Sequence, residues 1–430
     1  MAGRNHRTRI GNVCPASIAQ QVIANDQLAE AFPAGKPAHI FASFNSDRVH
    51  SPGFPTPTCG KMWGFEFDKP TIMMRNLSLW LITLIFAACA GCTASIPESE
   101  ESTNIKFIWD YRTGDYVRST PLIDEGVLYV GSDDNYMHAV DVENGDLIWQ
   151  FETGDNITSS PLIIEGDLIF GSWDNNVYSL DIDTGAENWV FETADWVSAS
   201  PVISDERIYI GSHDGSLYAL HNKDGSMIWS FPTKGRIESG AAVGEDYVFV
   251  GSNDNYLYGI NKDNGEQMWS FETPGDILSA PVLKDGTIYV GSVSRNLYAL
   301  DANSGDLLWS FEADHAFENS PVIEGGKVFI GANDGTLYAL DNSNGSLIWK
   351  IELDGMIRST PIVWKNLIII GSDDGYLTAL DHNLGEIIWR YRTGDAIVAG
   401  PIIYDSKLYV GSLDRRVHAF QLEQSIQNGN

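Results

Sequence analysis

Five side chains in this sequence are best suited to holding a small molecule: Trp173, Trp196, Arg118, Arg236 and Arg358. A flat indole stacks on a flat ring, and a guanidinium grips a carboxylate through paired N–H bonds. Near them in the repeating pattern described below fall His213, His315, Glu238 and Glu318, whose nitrogen and oxygen atoms are of the kind that ligate cations. Each is a departure from a pattern that the rest of the chain repeats, and each falls on loops, or just inside strands, that share one face. They are spread over several repeats, however, and none has metal-ligand spacing. No Ser/His/Asp or Cys/His nucleophile, phosphate loop or zinc site stands out. The same face carries Asp115, Asp155, Asp195, Asp314, Asp354 and Asp395. A ring of carboxylates would receive a cation or a basic peptide, but aspartate also caps loops locally, and turn chemistry is the expected role. His138, His221, His382 and His418 replace Tyr or Asp of the repeat and are expected to be core or turn residues.

The elements that position these residues are set by eight tryptophans, Trp109, Trp149, Trp189, Trp229, Trp269, Trp309, Trp349 and Trp389, spaced 40 residues apart. So regular a period means one supersecondary unit copied and stacked. Units of 40 begin at 111, 151, 191, 231, 271, 311, 351 and 391. The second contains four short alternating or apolar runs, ITSSPLII, DLIFGS, NVYSLDI and ENWVFET, separated by turn residues, which is the pattern of a four-stranded antiparallel meander. Asp214-Gly215, Asp334-Gly335 and Asp374-Gly375 suit two-residue hairpins that need positive φ. Sheets repeated about an axis make a β-propeller. Small pairs such as Ser159-Ser160 and Ala399-Gly400 fit the narrow axial end of a wedge, and the tryptophans fit its rim, between blades. Proline follows the small pair in seven units, Ala241 being the exception, and lacks the N–H that a central strand would use. The last unit has no Gly-x-x-x-Trp segment, whereas IKFIW at 105–109 stands alone before the first. The expected fold is therefore all-β, an eight-bladed propeller spanning 104–430 and closed by strand 105–109 in the last blade.

Charge and cysteine usage bound the setting. The 430 residues carry a formal charge of −31; 8 of the 27 Lys/Arg and 5 of the 58 Asp/Glu fall in residues 1–75, leaving 19 against 53 in the rest. An acidic field of this size repels phosphate backbones, which excludes nucleic acid as an expected partner. All four cysteines, Cys14, Cys59, Cys89 and Cys92, precede the repeats, so the repeat region has neither a disulfide nor a thiolate metal site. Residues 1–72 do not match the repeat, and Gly, Pro, Ser and Asn interrupt every apolar run. They are expected to be a disordered extension or to lie ahead of a translation start at Met73 or Met74. Residues 73–92 read as a secretory signal: a lone Arg75, the apolar run Leu77–Ala90, then Gly91-Cys92. The run is too short for a spanning helix. A polar linker follows at 93–103. Ala90-Gly91-Cys92 resembles the end of a bacterial lipoprotein signal, which implies lipidation of Cys92 and residence on a membrane surface. Cys89, after Phe86-Ala87-Ala88, is the alternative site and stands where that pattern usually has an aliphatic residue.

The segments LYALHNKDGSMIW (217–229) and LYALDANSGDLLW (297–309) resemble the tryptophan-docking repeat of the pyrroloquinoline-quinone-like (PQQ-like) propellers, small-x-Asp-x-x-x-Gly-x-x-x-Trp. The resemblance covers 104–430 and is specific for fold. The Gly-His and Trp-Asp signatures of WD40 repeats are missing. That family includes quinoprotein dehydrogenases, which bind the quinone and calcium in a funnel, and non-enzymatic BamB-like lipoproteins of outer-membrane assembly. An uninterrupted 40-residue unit leaves no loop for a lid, and the repeats lack the vicinal cysteines of the longer dehydrogenases. The expected function is thus a non-enzymatic, extracytoplasmic, membrane-anchored scaffold of the BamB-like kind. It would have no cofactor, and its partners would be envelope proteins, an outer-membrane assembly complex among them. The alternatives are a PQQ-dependent dehydrogenase with calcium and a ligand-binding propeller. A ligand-sensing ectodomain would need a linked signalling domain, and the repeats supply none.

Overall fold

The structure, a computed structural model, describes residues 102–425, which form strands joined by turns, bends and irregular segments. Eight four-stranded antiparallel sheets follow one another along the chain. Each blade repeats the same strands. In blade two these are, from the axis outward, Leu162–Ile164, Asp167–Gly171, Asn176–Asp181 and Glu187–Glu192. The second and third strands of each blade are buried almost throughout because both of their faces meet neighbouring blades. The core accordingly lies in the seams. Tyr209, Leu217, Ala219 and Trp229 of blade three, for example, pack on Ile237, Val248, Val250, Tyr258 and Ile260, which lead into or belong to blade four. Among the described residues no helix is long and apolar enough to cross a membrane.

The indoles lie in these seams. Each of the first seven sits over the glycine of the next blade's third turn and donates its N–H to that turn's backbone. Trp229 Nε1 donates to the Lys262 carbonyl at 3.1 Å, and Trp269 to that of Ala302 at 3.0 Å. Glycine is needed in the turn on two counts. Gly265 has φ +75, and a Cβ there would meet the Trp229 ring at 2.8 Å. Trp389 differs because the third strand of blade eight runs on past the site of that turn. Its ring meets Phe420 edge-on, with centroids 5.5 Å apart.

Closure follows the sequence expectation, with a longer strand. Ser102–Arg112 pairs antiparallel with Arg416–Ser425, with Ile105 opposite Leu422 and Trp109 opposite Ala419, and forms the outer strand of the sheet that also holds Ile402–Tyr404 and Lys407–Ser412. Ser102 and Thr103, read from sequence as linker, already belong to this strand. The extension 1–72, the signal 73–92 with Cys89 and Cys92, and the linker up to 101 lie outside the described residues.

The innermost strand departs from expectation. The run ITSSPLII reads as one strand, yet only Leu162–Ile164 is strand, and Ser159, Ser160 and Pro161 precede it. The backbone here bonds sideways rather than into its own sheet. Thr120 N–H donates to Ser160 Oγ at 3.1 Å, Ser160 N–H to Ser200 Oγ at 3.0 Å, Ala280 N–H to Ser320 Oγ at 3.1 Å and Gly400 N–H to Thr120 Oγ1 at 3.0 Å. The small hydroxyl residues thus stitch neighbouring blades together around the axis, and the proline after them has no N–H to place.

Candidate functional site at the channel mouth

The axial segments enclose a channel of ≈ 380 Å³, whose lining includes Pro161, Pro201, Glu238, Glu318 and Arg358. Its mouth, on the face that carries the second turn of each blade, is built from two positions 15 residues apart. One lies just ahead of the inner strand and the other in the second turn of the same blade. Arg118 Nε donates to Asp133 at 2.7 Å, Trp173 Nε1 to Thr158 Oγ1 at 2.9 Å, Asn253 Nδ2 to Glu238 Oε1 at 2.7 Å and Asn333 Nδ2 to Glu318 Oε1 at 2.6 Å. Ser198 Oγ and His213 Nε2 are 2.8 Å apart, and Arg358 pairs with Asp373 at 2.7 Å. Blades five and eight carry Leu278 with Val293 and Val398 with Leu413 at the same positions. Each blade therefore matches ion with ion, hydroxyl with ring, carboxylate with amide, or apolar with apolar.

The five candidate side chains thus separate. Arg118 and Arg358 belong to ion pairs of blades one and seven. Trp173 and Trp196 come together: their rings stack in parallel, centroids 4.5 Å apart and 5° from coplanar, and His213 lies against Trp196 at 5.7 Å. Burial lowers the His213 pKa, with nearby Arg236 acting in the same direction and Glu238 and Asp195 opposing. Its Nδ1 is buried without a hydrogen-bond partner. With no carboxylate on Nδ1 to orient the ring, the Ser198–His213 pair lacks the third member of a nucleophilic triad. The Arg236 carbonyl accepts from Asn253 N–H at 2.9 Å, but its side chain has no hydrogen bond or ion pair among the described residues, so a stacked indole pair and a free guanidinium occupy neighbouring loops.

Four of the six aspartates named on this face serve their own loops. The carboxylates of Asp115, Asp155, Asp195 and Asp395 each accept the N–H of the following residue at 2.8–2.9 Å, and Asp354 pairs with Arg390 at 3.2 Å. The second-turn aspartates, three of which the sequence marks only as hairpin residues, include several that reach across to the preceding loop. Asp134 accepts from Gly114 N–H at 2.6 Å and Asp174 from Gly154 N–H at 2.7 Å. His138 and His418 are buried against Asp134 and Asp414 at 3.2 and 3.0 Å, where other blades have a tyrosine on the equivalent aspartate, as in Tyr178 and Asp174. His221 and His315 are exposed, and the His382 carbonyl accepts the Trp349 N–H.

The residues present do not assemble a calcium cage. Among the described residues no three His, Cys, Asp or Glu side chains come together in a way that could hold a metal ion. Glu238 with Asn253 and Glu318 with Asn333 supply side-chain oxygens from separate blades, and in each pair the amide already occupies one carboxylate oxygen. Calcium takes six to eight oxygens.

Eight closed four-stranded sheets with indoles in their seams define a β-propeller of the PQQ-repeat class. A family model described as outer membrane protein assembly factor BamB matches residues 101–235, 213–318 and 314–426, and the chain belongs to that family. Comparison with curated proteins gives no match. Among solved structures it is similar to BamB from Moraxella catarrhalis, at 21% identity and TM-score 0.66, covering 74% of this chain and 100% of that one. A europium-containing methanol dehydrogenase is 13% identical with TM-score 0.67, over 74% and 93% of the two chains. The quinohemoprotein alcohol dehydrogenase from Comamonas testosteroni is 16% identical with TM-score 0.66, over 76% and 78%. At these identities the likeness is one of fold.

Proposed function

We propose that this protein is a non-enzymatic scaffold of the cell envelope, held at a membrane surface by a lipid on Cys92, that engages a partner polypeptide as the BamB-like assembly factors of its family do. The observation that carries this reading is the use of polar groups at the channel mouth. Most of the carboxylates, hydroxyls and amides there are committed to a partner within their own blade, which builds a stiff, featured rim rather than a reactive centre. Trp196 and Arg236 remain outward-facing on this rim, and Trp and Arg are the residue types that most often anchor protein interfaces. Membership of the family supports a partner in outer-membrane protein assembly and, with it, an extracytoplasmic setting.

The stacked indoles beside a free arginine also suit a flat anion, so the enzymatic alternative is tested in the same series. The full chain, used as bait in envelope extract of the organism that encodes it, is expected to retain one stoichiometric partner, and the variant Trp196→Ala to lose it. A rise in melting temperature on adding pyrroloquinoline quinone with calcium, abolished by Trp196→Ala and accompanied by alcohol or sugar oxidation, would overturn the scaffold reading. Mass spectrometry of the mature amino terminus decides the anchor: a diacylated Cys92 is expected.

A further inference from the structure

The last residue of each outer strand shows a charge reversal confined to two adjacent blades. Blades one, two, four, five and six carry Glu152, Glu192, Glu272, Glu312 and Glu352 there, blade three Pro232, and blades seven and eight Arg392 and Arg112. Arg112 lies directly opposite Arg416 in the strand ladder, a like-charge pairing that destabilises a sheet, whereas a glutamate would have matched it. Arg416 instead pairs with Asp110 at 2.9 Å, Arg415 lies 3.7 Å from Asp115, and Arg390 lies within 3.5 Å of Asp354 and Asp374. Arg112 and Arg392 are exposed and have no ion pair among the described residues. The two outer strands touch: the ring of Tyr391, next to Arg392, stacks on Phe107 of the closing strand at 6.1 Å. Tyr376, opposite Arg392 in the ladder, has the guanidinium groups of Arg390 and Arg392 at 3.9 and 5.5 Å from its ring centre. Stacking of this kind fixes a guanidinium plane while leaving its N–H edge free for carboxylates.

We propose that the rim of blades seven and eight, centred on Arg112 and Arg392, is a docking surface for an acidic segment of a partner polypeptide. This deepens the scaffold reading, on which it rests, by assigning a face and a partner chemistry. Charge complementarity argues for it. In a domain this acidic, replacing the glutamate of the repeat by arginine at two adjacent equivalent positions makes a local exception that long-range attraction cannot blur, because the field of distant charges is screened within about 8 Å at physiological salt. A polypeptide is favoured over a lipid headgroup by the topology. Arg112 ends its strand on the channel-mouth face, whereas that strand starts, at Ser102, on the opposite face, so the two arginines lie at the other end of the blade from the start of the strand.

The test uses the full chain and a fluorescent oligoglutamate peptide, read by anisotropy at physiological ionic strength. The wild type is expected to bind it in preference to oligolysine, and the double variant Arg112→Glu/Arg392→Glu, which restores the residue of five other blades, to bind about ten-fold more weakly with a melting temperature no lower than that of the wild type. Equal binding by wild type and variant, or none by the wild type, overturns the proposal. So does arginine-dependent binding to vesicles containing phosphatidylglycerol without oligoglutamate binding, or a concentration-dependent dimer that the variant abolishes. If envelope extract yields a partner that the double variant retains, the surface fails and the scaffold reading stands. If no partner is captured, the scaffold reading fails, and the peptide titration still decides the surface.

Discussion

At the scale of single residues the structure is governed by what each turn and each buried charge can tolerate. The second turn needs a left-handed residue in every blade, supplied by Asn135, Asn175 and Asn255, by Gly215, Gly335 and Gly375, and by Arg295 and Arg415. Gly335 is the most constrained of these glycines: φ is +86, and a Cβ would meet the carbonyl oxygens of Leu353 and Gly355 at 2.5 and 2.7 Å. Gly335→Ala should therefore cost about 1–3 kcal/mol in urea unfolding. A pH-dependent effect is expected at the Arg118–Asp133 pair. Burial raises the Asp133 pKa, and the hydrogen bond and charge of Arg118 only partly offset this. A carboxyl raised on folding favours the folded state most below its unfolded value, near 3.8, and that contribution is lost as pH rises through the folded value. Arg118 limits the loss, so Arg118→Ala should destabilise by about 1–3 kcal/mol at pH 7 and by clearly less at pH 4. Equal deficits at the two pH values would show that the pair matters only through packing.

At the scale of the blade, the indole in the seam is the repeated unit of cohesion. Trp229 is 8% exposed, lies over Gly265, donates to the Lys262 carbonyl and packs with Tyr209, whose ring centre is 5.7 Å away. Trp229→Ala removes these contacts together and should cost about 3–5 kcal/mol by chemical denaturation. This level was legible in the sequence because burial between blades makes the same demand on every copy, so the 40-residue period, the turn glycines and the stranded IKFIW segment were enough to place all eight sheets. The innermost strand was misread because a run such as ITSSPLII has strand composition, while the axial crowding that turns its N–H groups toward neighbouring blades is a property of the closed ring. The mouth was half legible. Departures from the repeat picked out Trp173, Trp196, Arg118, Arg236 and Arg358, but not that Arg118 and Arg358 answer to Asp133 and Asp373. A signal was present: across the eight copies, positions 15 apart change together, as when Thr158 with Trp173 gives way to Ser198 with His213. The copies form an internal alignment, and reading them against one another would have found the pairs.

At the scale of the whole molecule, the frame of the repeat and the frame of the fold are offset by one strand, and that offset is what joins the chain's first described strand to its last blade. Ser102–Arg112 brings Ile105 into the seam with blade seven, where it packs with Leu408, Phe420 and Leu422, and brings Trp109 and Tyr111 into the seam with blade one. Deleting 102–110 should therefore expose both seams at once, giving a larger radius of gyration by X-ray scattering and rapid proteolysis of blades one and eight. Such a loss alone would not distinguish a missing closure from a missing patch of core, because both remove the same side chains. A circular permutant separates the two. If residues 102–112 are moved behind residue 425 through a short flexible linker and the chain begins at Thr113, all four strands of blade eight become consecutive, as in every other blade. The covalent tie between blades one and eight at Arg112–Thr113 is then broken, and only non-covalent contacts hold the two blades together. Because the side-chain contacts are unchanged, the permutant should keep the wild-type scattering profile. It should be destabilised chiefly in its unfolding rate, since blade eight no longer bridges the two ends of the chain and the ring can open at the seam by Tyr409 and Trp109. An unfolding rate as slow as that of the wild type would mean that packing alone closes the ring and that the shared blade adds no kinetic barrier.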